Sequence, residues 1–176
     1  MKTYPFVFRK YCLRLKSHDY SRKASYFITI DCYRKECRFG HIEKKRMIAN
    51  EFGKIVENDW IELPKKFTNV ELGIYQIMPN HFHAIMHITR QKFRWRKDKS
   101  LAKITLSEII GEYKSIVYKK CLELHCLKSS HLTHIPLLGK IWKRSFFDAI
   151  IRDNASLKSI SRYIRNNPRK WLHQKP

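Results

Sequence analysis

One stretch decides the fold of this chain: Pro79-Asn80-His81-Phe82-His83-Ala84-Ile85-Met86-His87. Pro79-Asn80 is typical of a turn, and the residues after it alternate in character with a period of two. A strand with this pattern directs its odd-numbered residues to one face: His81, His83, Ile85 and His87. Its even-numbered residues are apolar throughout and are predicted to face the core: Phe82, Ala84, Met86 and Ile88.

The histidine pair has two interpretations. Two imidazoles one strand-step apart can converge on a single divalent cation or on a phosphate oxygen. His81-x-His83 by itself is a weak signal, because two histidines on a half-exposed strand are more often solvated than bound to metal. The other segments of the chain are needed to decide between these interpretations.

Strands and a helix are predicted before this stretch. Residues 26–32 are rich in β-branched and aromatic side chains and predict the first strand. Residues 70–78 predict a second strand, which the Pro79-Asn80 turn joins to the histidine strand in an antiparallel hairpin. Between these strands, apolar residues at intervals of three and four predict a helix over 47–63 that is stopped by Pro64.

Two helices and a strand are predicted after it. A capping box formed by Thr105 and Glu108 opens a helix that should end near residue 124. Residues 141–150 predict a strand with a charged edge. The final helix should run from about residue 154 to 166 and be ended by Pro168. Its apolar stripe consists of Leu157, Ile160 and Ile164.

The predicted element order is β-α-β-β-α-β-α, which is the ferredoxin-like arrangement. The expected fold class is therefore α+β: an antiparallel, RRM-like sheet with helices on one face and the other face open to a ligand. This assignment leaves His81 and His83 on the open side. Residues 1–176 are expected to form one domain, with a basic N-terminal arm over 1–24 and a core over 25–171.

The charge balance indicates a polyanionic partner. The chain has 37 Lys and Arg against 15 Asp and Glu, a formal charge of +22. A globular domain with this much positive charge usually has a polyanionic partner. Nucleic acid is the first candidate and an anionic membrane surface the second. No apolar run approaches the ~18 residues that a membrane span needs, and the N-terminus lacks the apolar core of a signal peptide. We therefore expect a cytoplasmic protein with no membrane partner.

The cysteines are expected to be reduced thiols. Their number, five, is odd, and no secretion signal accompanies them. The close pairs are spaced Cys-x4-Cys, which is not a common zinc-binding spacing. The residues concerned are Cys12, Cys32, Cys37, Cys121 and Cys126.

Residues 90–103 are rich in Lys and Arg, with Phe93 and Trp95 between the charges. A run of charge is usually a solvated loop. The interleaved aromatic rings offer an alternative, since a base stacked on an aromatic side chain contributes ~1–3 kcal/mol in single-stranded nucleic acid complexes. Both interpretations stay open at this point.

Several segments occur in a characteristic order between about residues 20 and 171: Tyr20-Ser21-Arg22, Ala24-Ser25-Tyr26-Phe27-Ile28-Thr29-Ile30, Met78-Pro79-Asn80-His81-Phe82-His83, Thr105-Leu106-Ser107-Glu108-Ile109-Ile110-Gly111, Phe146-Phe147-Asp148-Ala149-Ile150-Ile151-Arg152 and Tyr163-Ile164-Arg165-Asn166-Asn167-Pro168. Together they resemble the single-tyrosine HUH transposases, and within them the REP-associated tyrosine transposases. A lone His-x-His would not be specific, whereas the whole series is.

The resemblance implies a role for each motif. His81 and His83 correspond to the metal-binding HUH pair, Tyr163 to the catalytic tyrosine, and Asn167 to the polar position that supplies a further metal ligand. It also implies a Mg²⁺ or Mn²⁺ cofactor and a core, 25–171, that is catalytic. The implied activity is cleavage and rejoining of single-stranded hairpin DNA through a 5′-phosphotyrosine, by a monomer or a homodimer.

The side chains expected to bind DNA are mostly basic: Arg22, Lys23, Arg94, Trp95, Arg96, Lys97, Lys143, Arg144, Arg152 and Arg165. His87 shares the face of the histidine pair and is expected either to be solvated or to touch metal or DNA.

Other classes of protein remain open. A non-catalytic module, either a silent transposase or an RRM-like binder of single-stranded DNA or RNA, would fit the charge and the sheet, although the aromatic RNP pattern is missing. A small metal hydrolase would need carboxylates near the histidines, where Asp and Glu are sparse. Tyr163 could also be an ordinary, partly buried helix tyrosine. Tyr113, in a buried stripe, and Tyr118, outside it, are the competing tyrosines.

Overall fold

The computed structural model describes residues 18–89, 104–129 and 138–171. Its elements, in chain order, are β1 (Ala24–Asp31), β2 (Gly40–Glu43), β3 (Arg46–Ala49), α1 (Glu51–Lys66), β4 (Val70–Met78), β5 (His81–Ile88), α2 (Leu106–Ser129), β6 (Phe147–Ile151) and α3 (Asn154–Lys170). A short 3-10 turn, Tyr33–Lys35, follows β1. In these ranges no helix is long and apolar enough to cross a membrane.

Four strands form an antiparallel sheet in the order β4-β5-β1-β6. The first and third strands of the β-α-β-β-α-β core lie in the centre, and the second and fourth lie at the edges, which is the ferredoxin-like topology. The predicted α+β class and the hairpin of β4 and β5 are confirmed. The remaining two strands, β2 and β3, form a separate hairpin between β1 and α1.

The two faces of the sheet carry separate apolar clusters. On one face, Phe82, Ala84 and Met86 of β5 pack with the inward residues of α1 and α2, including Trp60 and Tyr113. The predicted core side of β5 is therefore confirmed. The Trp60 ring lies 4.8 Å from the Phe82 ring and 5.4 Å from the Tyr113 ring, measured between centroids.

The other face is not open, so this part of the prediction was wrong. Ile160 and Ile164 of α3 pack there against Phe27 of β1 and Ile85 of β5. The apolar stripe of α3 had been recognised, but its docking site depends on contacts distant in sequence. As a result, His81 and His83 lie beneath a helix and are buried rather than facing solvent.

Several predicted boundaries were also wrong. Pro64 and Pro168 lie inside α1 and α3, which continue to Lys66 and Lys170. A proline near the last turn removes one backbone donor but keeps a helical φ, so a packed helix can continue for a few residues. The capping box is confirmed, with Glu108 accepting from the Thr105 N–H, but α2 extends to Ser129.

The β2–β3 hairpin was missed because its turn does not look like one. Its loop is Lys44-Lys45, without the Gly or Asn typical of a two-residue hairpin. The apolar spacing of α1 also continues backwards into β3, so Met47 and Ile48 were assigned to the helix, which begins at Glu51. The strand predicted over 141–150 begins only at Phe147, as β6. Before it, Trp142 makes an isolated bridge to Cys32.

The position of α3 can be tested at Ile160, which is 1% exposed within the small cluster on the histidine face. We expect Ile160→Ala to lower the free energy of unfolding by about 2–5 kcal/mol, because it removes buried methyl groups and leaves a cavity. Urea denaturation followed by far-UV circular dichroism measures this. The matched control is Lys158→Ala on the exposed side of α3, expected to change stability by less than about 0.5 kcal/mol. Equal effects of the two substitutions would contradict this docking.

Candidate active site

The histidine pair is held by neighbours on both strands. His83 stands opposite Thr29 of β1 in the register, and its Nδ1 lies 2.8 Å from the Thr29 hydroxyl. His81 donates its Nδ1–H to the Asn80 side-chain oxygen at 2.6 Å, because the Asn80 amide nitrogen already donates to the Lys35 carbonyl. Both imidazoles therefore use Nδ1 for support and keep Nε2 for another partner.

Burial keeps both rings neutral. His81 is 7% exposed and His83 is 3% exposed. Burial, reinforced by the positive charge of Lys35, lowers the pKa of His81 to about 4, against an opposing effect of Asp31. Burial also holds the pKa of His83 well below its usual value, with the neighbouring His81 and Lys35 adding to the effect. Neutral imidazoles are the form that binds a metal ion.

Helix α3 aligns three side chains over this pair. Tyr163, Asn167 and Trp171 are spaced by four residues and so lie along one side of the helix. The Tyr163 ring is 5.4 Å from the His83 ring, and the Trp171 ring is 5.9 Å from the His81 ring. Asn167 lies between them along the helix and is buried. The structure thus brings the predicted residues His81, His83, Tyr163 and Asn167 to one place.

Phe27 connects the strand and helix parts of the site. Its fully buried ring stacks on His83 at 5.5 Å and meets the Tyr163 ring edge-on at 6.0 Å. Sequence reasoning missed both Phe27 and Trp171. The alternation of β1 places Phe27 and Thr29 on the same face, and the four-residue spacing links Trp171 to Tyr163, so both signals were present.

Lys35 was missed for a different reason. It lies in the turn after β1, where its ammonium pairs with Asp31, the cross-strand partner of His81. No periodic spacing links Lys35 to the histidines. Only the path of the turn brings its charge to the site.

The predicted DNA-binding side chains fall into separate groups. Lys143 and Arg144 are exposed and lie at the histidine end of the sheet, since the Lys143 N–H donates to the Asp31 carbonyl. Arg22, Lys23 and Arg152 are exposed at the other end of β1, where Ser25 pairs with Ile151. Arg165 is exposed on α3. Arg94, Trp95, Arg96 and Lys97 lie outside the described residues.

His87 is further along the histidine face. Its Nδ1 lies 2.7 Å from the Ser25 hydroxyl, which repeats the support that Thr29 gives to His83. Gly73 on β4 faces it: a Cβ added there would come within 3.1 Å of the His87 Nε2. His87 is thus four residues from His83 along β5, outside the group that Tyr163 covers.

The cysteines offer no alternative metal centre in the described ranges. Cys32 and Cys121 are buried and Cys37 and Cys126 are exposed, all four as free thiols. Burial raises the pKa of the Cys32 thiol to about 12, which disfavours the thiolate that binds metal. Within 18–89, 104–129 and 138–171, no group of three or more His, Cys, Asp or Glu is positioned to hold a metal ion.

The chemistry of the donor set fits a divalent cation. His81 carries its proton on Nδ1 and so has a lone pair on Nε2. His83 offers the same lone pair in the tautomer that donates from Nδ1 to Thr29, and the Asn167 side chain has an amide oxygen. Manganese accepts both imidazole and oxygen ligands, whereas magnesium prefers oxygen ligands and retains water. Two imidazoles and one amide leave coordination positions for phosphate oxygens or water. Manganese therefore suits this set better than magnesium.

Comparisons with known proteins agree with this architecture. No family model matches the chain. An uncharacterized protein of Haemophilus influenzae is 36% identical over 167 residues, covering 90% of this chain and 88% of that protein. Among solved structures, a REP-associated tyrosine transposase bound to a REP hairpin has the same fold, with a TM-score of 0.58 and 16% identity. That match covers 90% of this chain and 74% of the other.

The neutral histidines make folding pH-dependent. Since the folded pKa of His81 is about 4 and its ordinary value is 6.5, the unfolded chain binds more protons below pH 6.5. Stability is therefore lost as the pH falls. Between pH 7.5 and 5.5 we expect His81 to account for lost stability on the order of 1 kcal/mol, with His83 adding a loss of the same sign.

Urea unfolding at both pH values, in a metal chelator, measures this effect. The comparison is with His81→Ala/His83→Ala, whose stability should vary less with pH because both titrating groups are gone. His87→Ala, which removes a histidine of the same strand outside the site, should keep the parent's dependence. A double variant with the parent's pH dependence would contradict burial of the neutral rings.

Proposed function

We propose that this chain, which belongs to the same protein family as the uncharacterized protein of Haemophilus influenzae, is a metal-assisted endonuclease and strand transferase of the single-tyrosine HUH type. The observation that carries the proposal is the contact between the Tyr163 and His83 rings, 5.4 Å apart. A phenol next to two neutral imidazoles supports a tyrosine nucleophile beside metal ligands. The transposase-like fold supports the same assignment.

The phenol of Tyr163 is the proposed nucleophile. Its oxygen attacks the scissile phosphorus, so an Oη–P bond forms and the bond from phosphorus to the 3′ oxygen breaks. The phenol loses its proton, and the departing oxygen gains one to become a 3′-OH. The 5′ end stays attached to Tyr163 as a phosphodiester. Because one ester replaces another, attack by a second 3′-OH rejoins strands without an external energy source.

The other residues hold and orient the phosphate. His81, His83 and Asn167 are the proposed ligands of a divalent cation, which when bound polarises the scissile phosphate and neutralises its charge. Asn80 and Thr29 fix the two imidazole rings, so their Nε2 atoms are aimed before DNA arrives. Lys35 adds a positive charge beside the histidines.

The proposed substrate is single-stranded DNA next to a hairpin. The chain's charge of +22 suits a polyanion. The REP-associated transposase of the same fold is bound to a REP hairpin, which supports a hairpin as the recognised shape here. Both monomeric and homodimeric action are compatible with this proposal, and so is a cytoplasmic location.

The binding-module alternative is less well supported by the geometry. RRM-type domains stack bases on an exposed sheet face. Here α3 covers the face that lacks α1 and α2, with Ile160 and Ile164 packed on Phe27 and Ile85. A base could reach that face only if α3 left it. A purely non-catalytic role therefore would not use the sheet in the RRM manner, and single-strand cleavage at the helix–sheet junction explains the arrangement better.

Tyr163→Phe tests the nucleophile. The variant removes one oxygen and keeps the ring that packs on His83 and Phe27. We expect it to bind hairpin DNA as the parent does, yet to form no covalent adduct and release no 3′-OH. Denaturing gels with labelled hairpin DNA and Mn²⁺ detect both products.

Tyr118→Phe is the matched control, since Tyr118 is an exposed tyrosine on α2, away from the histidine face. It should keep full activity. Adduct formation by the Tyr163→Phe protein would refute the assignment. The third tyrosine considered, Tyr113, is fully buried, donates to the Val56 carbonyl, and has a pKa raised by burial, so it cannot reach a phosphate.

His81→Ala/His83→Ala tests the metal ligands. We expect loss of divalent-dependent cleavage together with loss of the Mn²⁺-induced rise in melting temperature, a readout that does not depend on activity. Because both rings are buried, the double variant will be less stable than the parent, so binding of hairpin DNA below its melting temperature checks that it is folded. His87→Ala should retain both responses. A double variant that Mn²⁺ still stabilises as it does the parent would place the metal elsewhere.

A further inference from the structure

The chain between β1 and α1 contains two turns with an unusual backbone. Arg34 and Lys35 have φ values of 53° and 57°, and Lys44 and Lys45 have values of 46° and 63°. Among the described residues, these four are the whole set of non-glycine residues with positive φ. The left-handed region is disfavoured for side chains with a Cβ, and where such residues occupy it Asn and Asp are the usual ones. Here all four are basic.

The second turn is the more informative one. Lys44 and Lys45 form the two-residue loop of the β2–β3 hairpin, with Glu43 paired to Arg46 in the register. A two-residue loop with positive φ at both positions is satisfied best by Asn-Gly. With two lysines this turn is less stable than it would be with Asn-Gly. Strained backbone conformations of this kind cluster at functional sites, where the side chains are retained for binding or catalysis.

The charges at the hairpin tip are available to a ligand. Lys44, Lys45 and Arg46 are all exposed. None of the three is in an ion pair with another described residue. Glu43 is the one acid in the hairpin, so the tip carries a net positive charge.

The hairpin stands beside the proposed active site. Its base is bonded to the turn that precedes His81, because the Phe39 N–H donates to the Pro79 carbonyl. Residues of β3 contact α3, the helix that carries Tyr163. The other left-handed turn, at Arg34 and Lys35, lies at the histidines themselves. Both strained basic turns therefore belong to the segment between β1 and α1 that adjoins the proposed site.

We infer that Lys44 and Lys45 form a backbone-binding element that grips phosphates of the DNA outside the cleavage site. The inference rests on the proposed function and names a further contact surface for the same substrate. Lysine is a flexible point charge, so this contact should be independent of base sequence. Its role is to hold the strand while Tyr163 and the histidines act on one phosphate.

The test is Lys44→Asn/Lys45→Gly, which replaces the turn with the pair best suited to its backbone. We expect the variant to be more stable than the parent in urea, because the left-handed strain is relieved. Affinity for hairpin DNA should fall roughly 25- to 60-fold at ~0.1 M salt, and the slope of log K against log salt should become smaller in magnitude by about 1.4 to 1.8. Fluorescence anisotropy over a salt series measures both quantities.

Two control proteins make the result specific. Lys65→Gln/Lys119→Gln removes the same number of charges from exposed positions on α1 and α2, which pack on the opposite face of the sheet, and should change affinity much less. Lys44→Arg/Lys45→Arg keeps the charge and should bind as the parent does.

The outcomes separate this inference from the proposed function. A parent protein that binds hairpin DNA, together with an Asn-Gly variant of unchanged affinity and salt slope, would overturn the inference alone. Equal losses of affinity in the Asn-Gly and the α1/α2 variants would also overturn it, since net charge would then be the cause. An Asn-Gly variant that is less stable than the parent and binds weakly would also overturn it, because the turn would then not be strained and the lost affinity would follow from unfolding. A parent that binds neither hairpin nor single-stranded DNA would instead refute the proposed function.

Discussion

The packing of α3 on the histidine face of the sheet is the contact on which the site depends. A small cluster centred on Phe27, Ile85, Ile160 and Ile164 holds the helix there. The same docking places Tyr163 against His83 and Trp171 against His81. Fold and site are therefore not separable on this face: the side chains that anchor the helix are the immediate neighbours of those that would perform the chemistry.

The same docking explains the state of the histidines. On an exposed sheet face, His81 would have its ordinary pKa and be partly protonated in mildly acidic conditions. Beneath α3 its pKa falls to about 4, and Asn80 fixes which ring nitrogen carries the proton. Burial of this pair costs stability, as is common for sites that are organised before their ligand arrives.

Charge and backbone strain occur together in the segment after β1. Lys35 lies in the turn that supports Asn80, and Lys44 and Lys45 occupy the tip of the adjacent hairpin. Neither turn follows the residue preferences of its backbone, so local stability alone does not explain its sequence. The proposed phosphate contact gives both turns the same explanation.

The sequence by itself determined the period-two alternation of β5, the turn before it and the order of the core elements, because these are local properties that depend on neighbouring residues. It also placed Tyr163 and Asn167 on one side of a helix. Only the tertiary structure decided that α3 covers the histidines, that Phe27 links them to Tyr163, and that Lys35 reaches them. An apolar stripe predicts that one side of a helix is buried, but it does not predict which face of the sheet the helix packs on. That choice depends on contacts between residues more than a hundred positions apart, such as Phe27 and Tyr163.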